Sequence, residues 1–426
     1  MAKTHTQSLR LSGPATLQSK DRGNSNDQGE TEFRAKKHYP VLDGVRGLAV
    51  LLVLLHHFIE SPVGSLTGKI ALRSSTLFWT GVDLFFVLSG FLITGILLDA
   101  KERPHYFRNF YVRRCFRIFP LYYAFLVFVF LFSYVPVRAP EALVSYVHDL
   151  ANLRSYLPWL FLYATNMFTA LRGFSPIAAT GHFWSLAVEE QFYLAWPAVV
   201  LLLPRAGLLR LCMAIMFLAP LTRWAFWHFH AEPAAAYTFT LCRMDSLALG
   251  AVIAVSARDN ASFRRIQGLL RSACIPAVVT IIGLTALYRS FAFNCKWVAV
   301  AGLTASALVC GHLIVTAITV NQGWLARWLE LPLMRSLGKY SYAIYVLHPV
   351  VSYLLKSWAF AHLSGLACVL FMLVLGLPIS YLLGYLSWHL LEKHFLRLRD
   401  LFPYESSAER LCVRHQAKVR AAASAV

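Results

Sequence analysis

The chain has 426 residues, 58% of them hydrophobic and only 14% charged, with a mean hydropathy of +0.54. A water-soluble domain cannot bury that share of apolar side chains, so the composition excludes one and indicates a polytopic helical membrane protein. The formal charge of +19 would suit a nucleic-acid partner, but its distribution along the chain speaks for membrane topology instead, and no nucleic-acid-binding module is visible.

Apolar runs of membrane-span length predict helices over 41–60, 77–98, 118–135, 183–203, 212–229, 239–257, 272–289, 297–320, 340–358 and 364–388. The expected fold is an all-α bundle of about ten spans. With these ends, twenty-nine of the 40 Lys and Arg residues fall on one side. By the positive-inside rule that side is cytoplasmic, so both termini face the cytoplasm of a multi-pass protein of the inner (plasma) membrane. Such an excess reports topology and contact with the anionic lipid bilayer. The eight cysteines are scattered and form no C-x-x-C pair. Neither a disulfide framework nor a metal site is therefore indicated.

Residues 1–40 are polar, without apolar periodicity, and read as a disordered cytoplasmic tail with no cleavable signal. The first span, VLDGVRGLAVLLVLLHHFI, carries Asp43 and Arg46 near its start and His56 and His57 near its end. Eleven residues separate Arg46 from His57, which returns to within ~20° of one face and ~16 Å along the axis. Ionisable groups inside a span are functional-site candidates; the alternative is an arginine snorkelling to the interface and a histidine bonded to a neighbouring helix. The second span holds one carboxylate, Asp83. The loop after it ends in YVRRCFRIFP, where Arg113, Arg114 and Arg117 are either positive-inside anchors or a clamp for a phosphorylated ligand. Residues 136–182 form the longest external connection, and the stretch 156–169 is Pro-broken and reads as re-entrant or interfacial.

The fourth span opens with GHFWSLAVEEQFYLAWP, in which His182, Ser185, Glu189, Tyr193 and Trp196 share a helix face while Glu190 and Gln191 point elsewhere. Either these polar groups face an aqueous interior or the carboxylates form structural salt bridges to Arg223 or Arg243. Arg243 and Asp245 in the sixth span are expected to pair with neighbouring residues. In the ninth span, GKYSYAIYVLHP places Ser341, Tyr345 and His348 on one stripe. Near the C-terminus, LLEKHFLRLR reads as the start of a basic amphipathic helix on the cytoplasmic face, followed by a basic tail over 396–426.

Arg46-x10-His57, GVDLFFVLSGFLIT, RRCFRIFP, FWSLAVEEQFYLAWP, RMDSLALG and LGKYSYAIYVLHP occur in this order. Together they resemble the acyltransferase-3 family of bacterial membrane acyltransferases, which includes O-antigen and exopolysaccharide O-acetyltransferases. The resemblance covers roughly residues 38–395. It implies a bundle of about ten helices, 41–395, that moves an acyl group from cytoplasmic acyl-CoA to a hydroxyl, usually of a sugar. It also implies no permanently bound cofactor, with acyl-CoA, in the first instance acetyl-CoA, as donor substrate. The family's Arg-x10-His motif maps onto Arg46 and His57, its arginine pair onto Arg114 and Arg117, and its paired glutamates onto Glu189 and Glu190.

Acyl transfer from a thioester to an alcohol requires removal of the hydroxyl proton, stabilisation of the oxyanion and alignment of the donor. His57 is assigned as general base, with Asp83 or Glu189 as the carboxylate that orients it. Arg46, Arg114 and Arg117 are assigned to the phosphates of the donor. Ser341, Tyr345 or His348 is expected to donate to the oxyanion or contact the carbohydrate, glycan or glycolipid acceptor. Glu190 and Arg243 are further candidates for substrate contact. The rival reading is a transporter that moves a glycan or lipid-linked sugar without acyl chemistry; it leaves the arginine clamp without a purpose.

Overall fold

The computed structural model describes residues 39–62, 66–132, 150–174, 178–320 and 323–403, and among these no strand occurs. The predicted tails, 1–40 and 396–426, lie outside the described residues over 1–38 and 404–426. The helices begin with α1 (Val41–Phe58), α2 (Leu66–Ser75), α3 (Gly81–Ala100) and α4 (Tyr106–Phe132). Two short helices, α5 (Leu150–Phe161) and α6 (Thr165–Arg172), precede α7 (Phe183–Leu202) and α8 (Arg205–His228). There follow α9 (Pro233–Thr238), α10 (Thr240–Ser256), α11 (Asn260–Tyr288) and α12 (Leu303–Thr319). The chain closes with α13 (Trp324–Leu329), α14 (Pro332–His362), α15 (Gly365–Ser387) and α16 (Lys393–Arg399).

Eight helical stretches among the described residues are long and apolar enough to cross a membrane. Helices α7 and α14 match them in length, but α7 carries Glu189, Glu190 and Gln191, and α14 carries several tyrosines, His348 and Lys356. Their lower apolarity thus comes from the polar groups of the conspicuous motifs. Large exposed side chains such as Phe128, Phe217, Ile275 and Val374 coat the outside of the bundle, as lipid contact requires.

Helix α10 is the centre, buried almost continuously from Cys242 to Ser256. It crosses α3 at Gly90 and Gly250, where a Cβ on either glycine would overlap a backbone carbonyl of the other helix. The same device joins α1 to α14 at Gly47 and Gly338. Apolar surface gives no drive for helix association within lipid, so such backbone-to-backbone contact sets the packing. It brings the helix of His57 against the helix of Tyr345 and His348.

Several helices begin earlier than their apolar runs. Helix α4 starts at Tyr106 rather than at 118, α8 at Arg205, α11 at Asn260 and α14 at Pro332. Arg113, Arg114 and Arg117 therefore stand on a continuous helix and not at the end of a loop. Hydropathy marks only the lipid-buried part of a helix, while helical hydrogen bonding continues past it; the Asp259 carboxylate, for example, accepts the Ser262 N–H at 2.8 Å and opens α11. The segment 150–172 turns back at Tyr163, which has φ 50°. With twelve and eight residues, α5 and α6 are roughly 18 and 12 Å long, each too short to cross a bilayer.

Helix α15 continues through a π-helical turn, Trp388–Glu392, into α16. This basic end packs back on α4 instead of lying free on a surface. An Arg113 Nη donates to the carbonyls of Arg399 and Phe402, and Asn109 donates to that of Pro403.

Candidate functional site

The charged residues inside the bundle divide into two groups. Arg243 is fully buried and ion-paired with fully buried Asp83. Its guanidinium also lies over the rings of Tyr237, Phe86 and Trp184, at 5.2, 5.3 and 5.7 Å. Arg223 pairs with Asp245 at 2.9 Å and donates to the Cys242 carbonyl and Thr304 Oγ1. Arg243 and Asp245 thus take separate partners, tying α10 to α3 and to α8.

The second group faces open space. A cavity of about 180 Å³ is lined by Arg46, Arg114, Arg117, Ser89, Ser185, Glu189, Tyr193, Ser341 and Tyr345, among apolar residues of α3 and α7. Glu189 accepts from Ser89 at 2.6 Å and from Tyr193 at 3.3 Å. Arg114 lies 5.7 Å from the Tyr193 ring and 5.8 Å from that of Phe110. Arg46, Arg117 and Tyr342 also line a wider vestibule of about 670 Å³ at the basic end of the bundle.

On the other side of the inner cavity, Val82 and Tyr345 are shared with a third space of about 300 Å³. His56, His57 and His182 line it, together with Trp79, Trp184, Tyr237, Phe174 and Phe293. Tyr345 stands between the two spaces. Its hydroxyl is bonded to Ser185 and donates to the His182 carbonyl at 3.2 Å.

The histidines form a contiguous cluster. The His57 ring lies 4.8 Å from that of His56 and 4.7 Å from that of His348, and His348 lies 5.4 Å from His182. His57 Nδ1 is 2.9 Å from the Val53 carbonyl, one turn back in α1. A carbonyl only accepts, so Nδ1 carries the proton and the neutral ring presents the Nε2 lone pair. His348 Nδ1 is fixed in the same way by the Tyr345 carbonyl at 2.8 Å. Its neutral Nε2 is thus an acceptor, which leaves the hydroxyls of Ser341 and Tyr345 as the donors of that stripe. The His182 ring nitrogens lie near the Tyr345 and Val346 backbone without hydrogen-bond geometry.

The tertiary structure brings Arg46, Arg114, Arg117, Glu189, Ser341 and Tyr345 to one cavity and His57 to the adjoining space, with the His348 ring packed against that of His57. Among the described residues it brings no carboxylate into hydrogen-bond contact with His57. Asp83 is held by Arg243, Glu189 is bonded to Ser89 and Tyr193, and the Val53 carbonyl orients the imidazole instead. Arg243 stands behind the Trp184 and Tyr237 rings. Glu190 faces Cys115, Tyr122, Tyr163 and Tyr342 on another side of α7, and Gln191 binds the Tyr163 carbonyl and Asn166. Sequence reasoning passed over Ser185 as a site residue, although its spacing of four from Glu189 placed it on the same face. It also missed the lining of the vestibule by α14 and α16, which are remote from α1 in the chain.

The interior of this helical membrane protein thus presents a cationic vestibule, half-buried arginines and a histidine with a free ring nitrogen in adjacent spaces. The acyltransferase-3 family, described as an acyltransferase domain, matches residues 39–385, and the chain belongs to it. Membership places it among the acyltransferases. The chain is 27% identical over 343 residues to "Peptidoglycan O-acetyltransferase OatA" of Listeria monocytogenes, covering 75% of this chain and 50% of that protein. It is 27% identical over 377 residues to "Putative peptidoglycan O-acetyltransferase YrhL" of Bacillus subtilis, covering 84% and 55%. The chain thus spans about half the length of these curated relatives. No solved structure matches it.

Proposed function

We propose that this protein is an integral O-acyltransferase of the inner membrane, with about ten spans and both termini in the cytoplasm. It takes an acyl group, in the first instance acetyl, from cytoplasmic acyl-CoA and transfers it to a hydroxyl of an envelope carbohydrate. The observation that carries this reading is the adjacency of three spaces that share wall residues. Arg46 and Arg117 border both the vestibule and the inner cavity, and Tyr345 borders both the inner cavity and the His57 chamber. The peptidoglycan O-acetyltransferase names of the relatives support a glycan acceptor.

In this reading the donor phosphates meet Arg46, Arg114 and Arg117, whose forked donors suit phosphate oxygens. Glu189 holds the arginine-rich wall in place through its own partners. The pantetheine arm lies in the inner cavity along α1, and the ~16 Å from Arg46 to His57 is the distance it has to reach. The thioester comes to rest beside Tyr345, and the acceptor hydroxyl enters the His57 chamber. His57 Nε2 removes the hydroxyl proton as the oxygen attacks the thioester carbonyl. The hydroxyls of Ser341 and Tyr345 stabilise the oxyanion. The intermediate then collapses: the C–O ester bond remains, the C–S bond breaks, and the departing thiolate takes the proton from His57.

The test is the content of base-labile acyl esters in envelope glycans of cells lacking the gene. These cells are complemented with wild type or with His57→Ala at matched membrane abundance. Esters restored by wild type alone are expected. Equal restoration by both makes His57 a packing residue, and restoration by neither removes glycan esterification as the activity.

A further inference from the structure

The vestibule carries more positive charge than the arginines at its inner end. Beyond Arg46 and Arg117 it is lined by Arg335 and Lys339 of α14 and by Lys393, Arg397 and Arg399 of α16, against Asp43, Glu392 and Asp400. Arg399 is neutralised by Asp400 at 3.1 Å, and Arg46 lies 3.6 Å from Asp43. Among the described residues, Arg335, Lys393 and Arg397 form no ion pair. Lys393 and Arg397 are four apart and share one face of α16. Lys339 Nζ sits 5.1 Å from the ring centroids of both Tyr340 and Trp388, and both rings line the same space. A concave set of unpaired cations beside aromatic rings is the complement of a polyanion that carries a flat base.

We propose that Lys339, Lys393, Arg397 and Trp388 form a separate subsite for the adenosine 3′-phosphate end of coenzyme A, outside the pyrophosphate contacts of Arg46 and Arg117. The inference rests on acyl-CoA being the donor. Coenzyme A is linear: thiol, pantetheine, pyrophosphate, then adenosine bearing a 3′-phosphate. With pantetheine in the inner cavity and the pyrophosphate at the Arg46–Arg117 junction, the last portion falls in the 670 Å³ vestibule. The 3′-phosphate meets Lys393 and Arg397, and the adenine stacks on Trp388 beside Lys339. The π turn at Trp388–Glu392 adds a residue per turn at the point where α15 passes into the helix that carries these cations. The basic C-terminal helix is thus part of donor recognition.

Equilibrium binding of coenzyme A and of 3′-dephospho-coenzyme A to the full chain, purified in detergent, tests the subsite. Wild type is expected to favour coenzyme A by roughly ten- to a hundred-fold, the scale of a charge-assisted contact. The Lys393→Gln/Arg397→Gln protein is expected to bind the two ligands equally while keeping the wild-type affinity for 3′-dephospho-coenzyme A, which also shows that it is folded. A variant that keeps the wild-type preference overturns the proposal and leaves these cations to anionic lipid. Equal binding of both ligands by wild type overturns the subsite alone, whereas binding of neither overturns the donor reading with it. Should the double variant lose both ligands, the single substitutions Lys393→Gln and Arg397→Gln decide on the same ratio.

Discussion

The arginines of α8 and α10 and those around the inner cavity are the same residue type in one bundle, yet they differ in burial and in surroundings. Arg243 and Arg223 are fully buried, and their charges are neutralised inside the protein by Asp83 and Asp245. Arg46 and Arg117 border two cavities at once. A charge in a membrane protein needs compensation. Where the protein supplies all of it the charge is structural, and where an open space adjoins it a ligand can complete it. The two cases differ in both respects: Arg223 and Arg243 are fully enclosed beside their aspartates, whereas Arg46 and Arg117 are half-buried beside open space.

Four substitutions probe this contrast. The largest effect is expected at His57, where His57→Ala removes the base and lowers kcat by about 10²–10⁴-fold. Acyl transfer from acyl-CoA in membrane vesicles measures it, and a variant with near-normal kcat would move the chemistry elsewhere. Next, Arg243→Ala leaves the buried Asp83 carboxylate unpaired and destabilises the bundle by about 3–5 kcal/mol. The loss appears as a fall in monodisperse protein after heating in detergent. Replacing both partners with apolar residues is expected to recover most of that stability, and no recovery would count against a purely structural pair.

A third, smaller effect is expected for Arg117→Ala. It weakens the donor by roughly ten- to a hundred-fold in KM while the heat resistance of the protein stays at the wild-type level. The two arginine variants thus separate along different measurements, and a stability loss at Arg117 as large as that at Arg243 would erase the distinction. Smallest is Tyr345→Phe, which loses the bonds to Ser185 and the His182 carbonyl. A change of about 1 kcal/mol, or several-fold in kcat with donor KM unchanged, is expected. An increase in donor KM instead would make Tyr345 a wall of the donor cavity only.

Much of this arrangement was legible in the sequence. The alignment of Arg46 and His57 on one face of α1, and of Ser185, Glu189 and Tyr193 on one face of α7, follows from helical periodicity, and both sets reach the cavities. The pairing of Arg243 and Asp245 with other residues was also foreseeable, because a membrane interior tolerates few uncompensated charges. The partner of His57 was not legible. Its orientation comes from the Val53 carbonyl, and since every residue offers a carbonyl, no side-chain pattern advertises that acceptor. The helix starts at the basic end escaped as well, because hydropathy follows lipid contact and not hydrogen bonding.

By itself, then, the sequence determined the helical membrane class, the rows of polar residues on individual helices and the family motifs. These depend on composition and on local period. Tertiary structure alone decided which rows meet. Glycine contacts at Gly47–Gly338 and Gly90–Gly250 set how closely α1 approaches α14 and α3 approaches α10, and with that which charges are consumed by ion pairs and which line open space. The return of α16 onto α4 is of the same kind, since it depends on backbone acceptors nearly three hundred residues from their donors, a separation that no local pattern encodes.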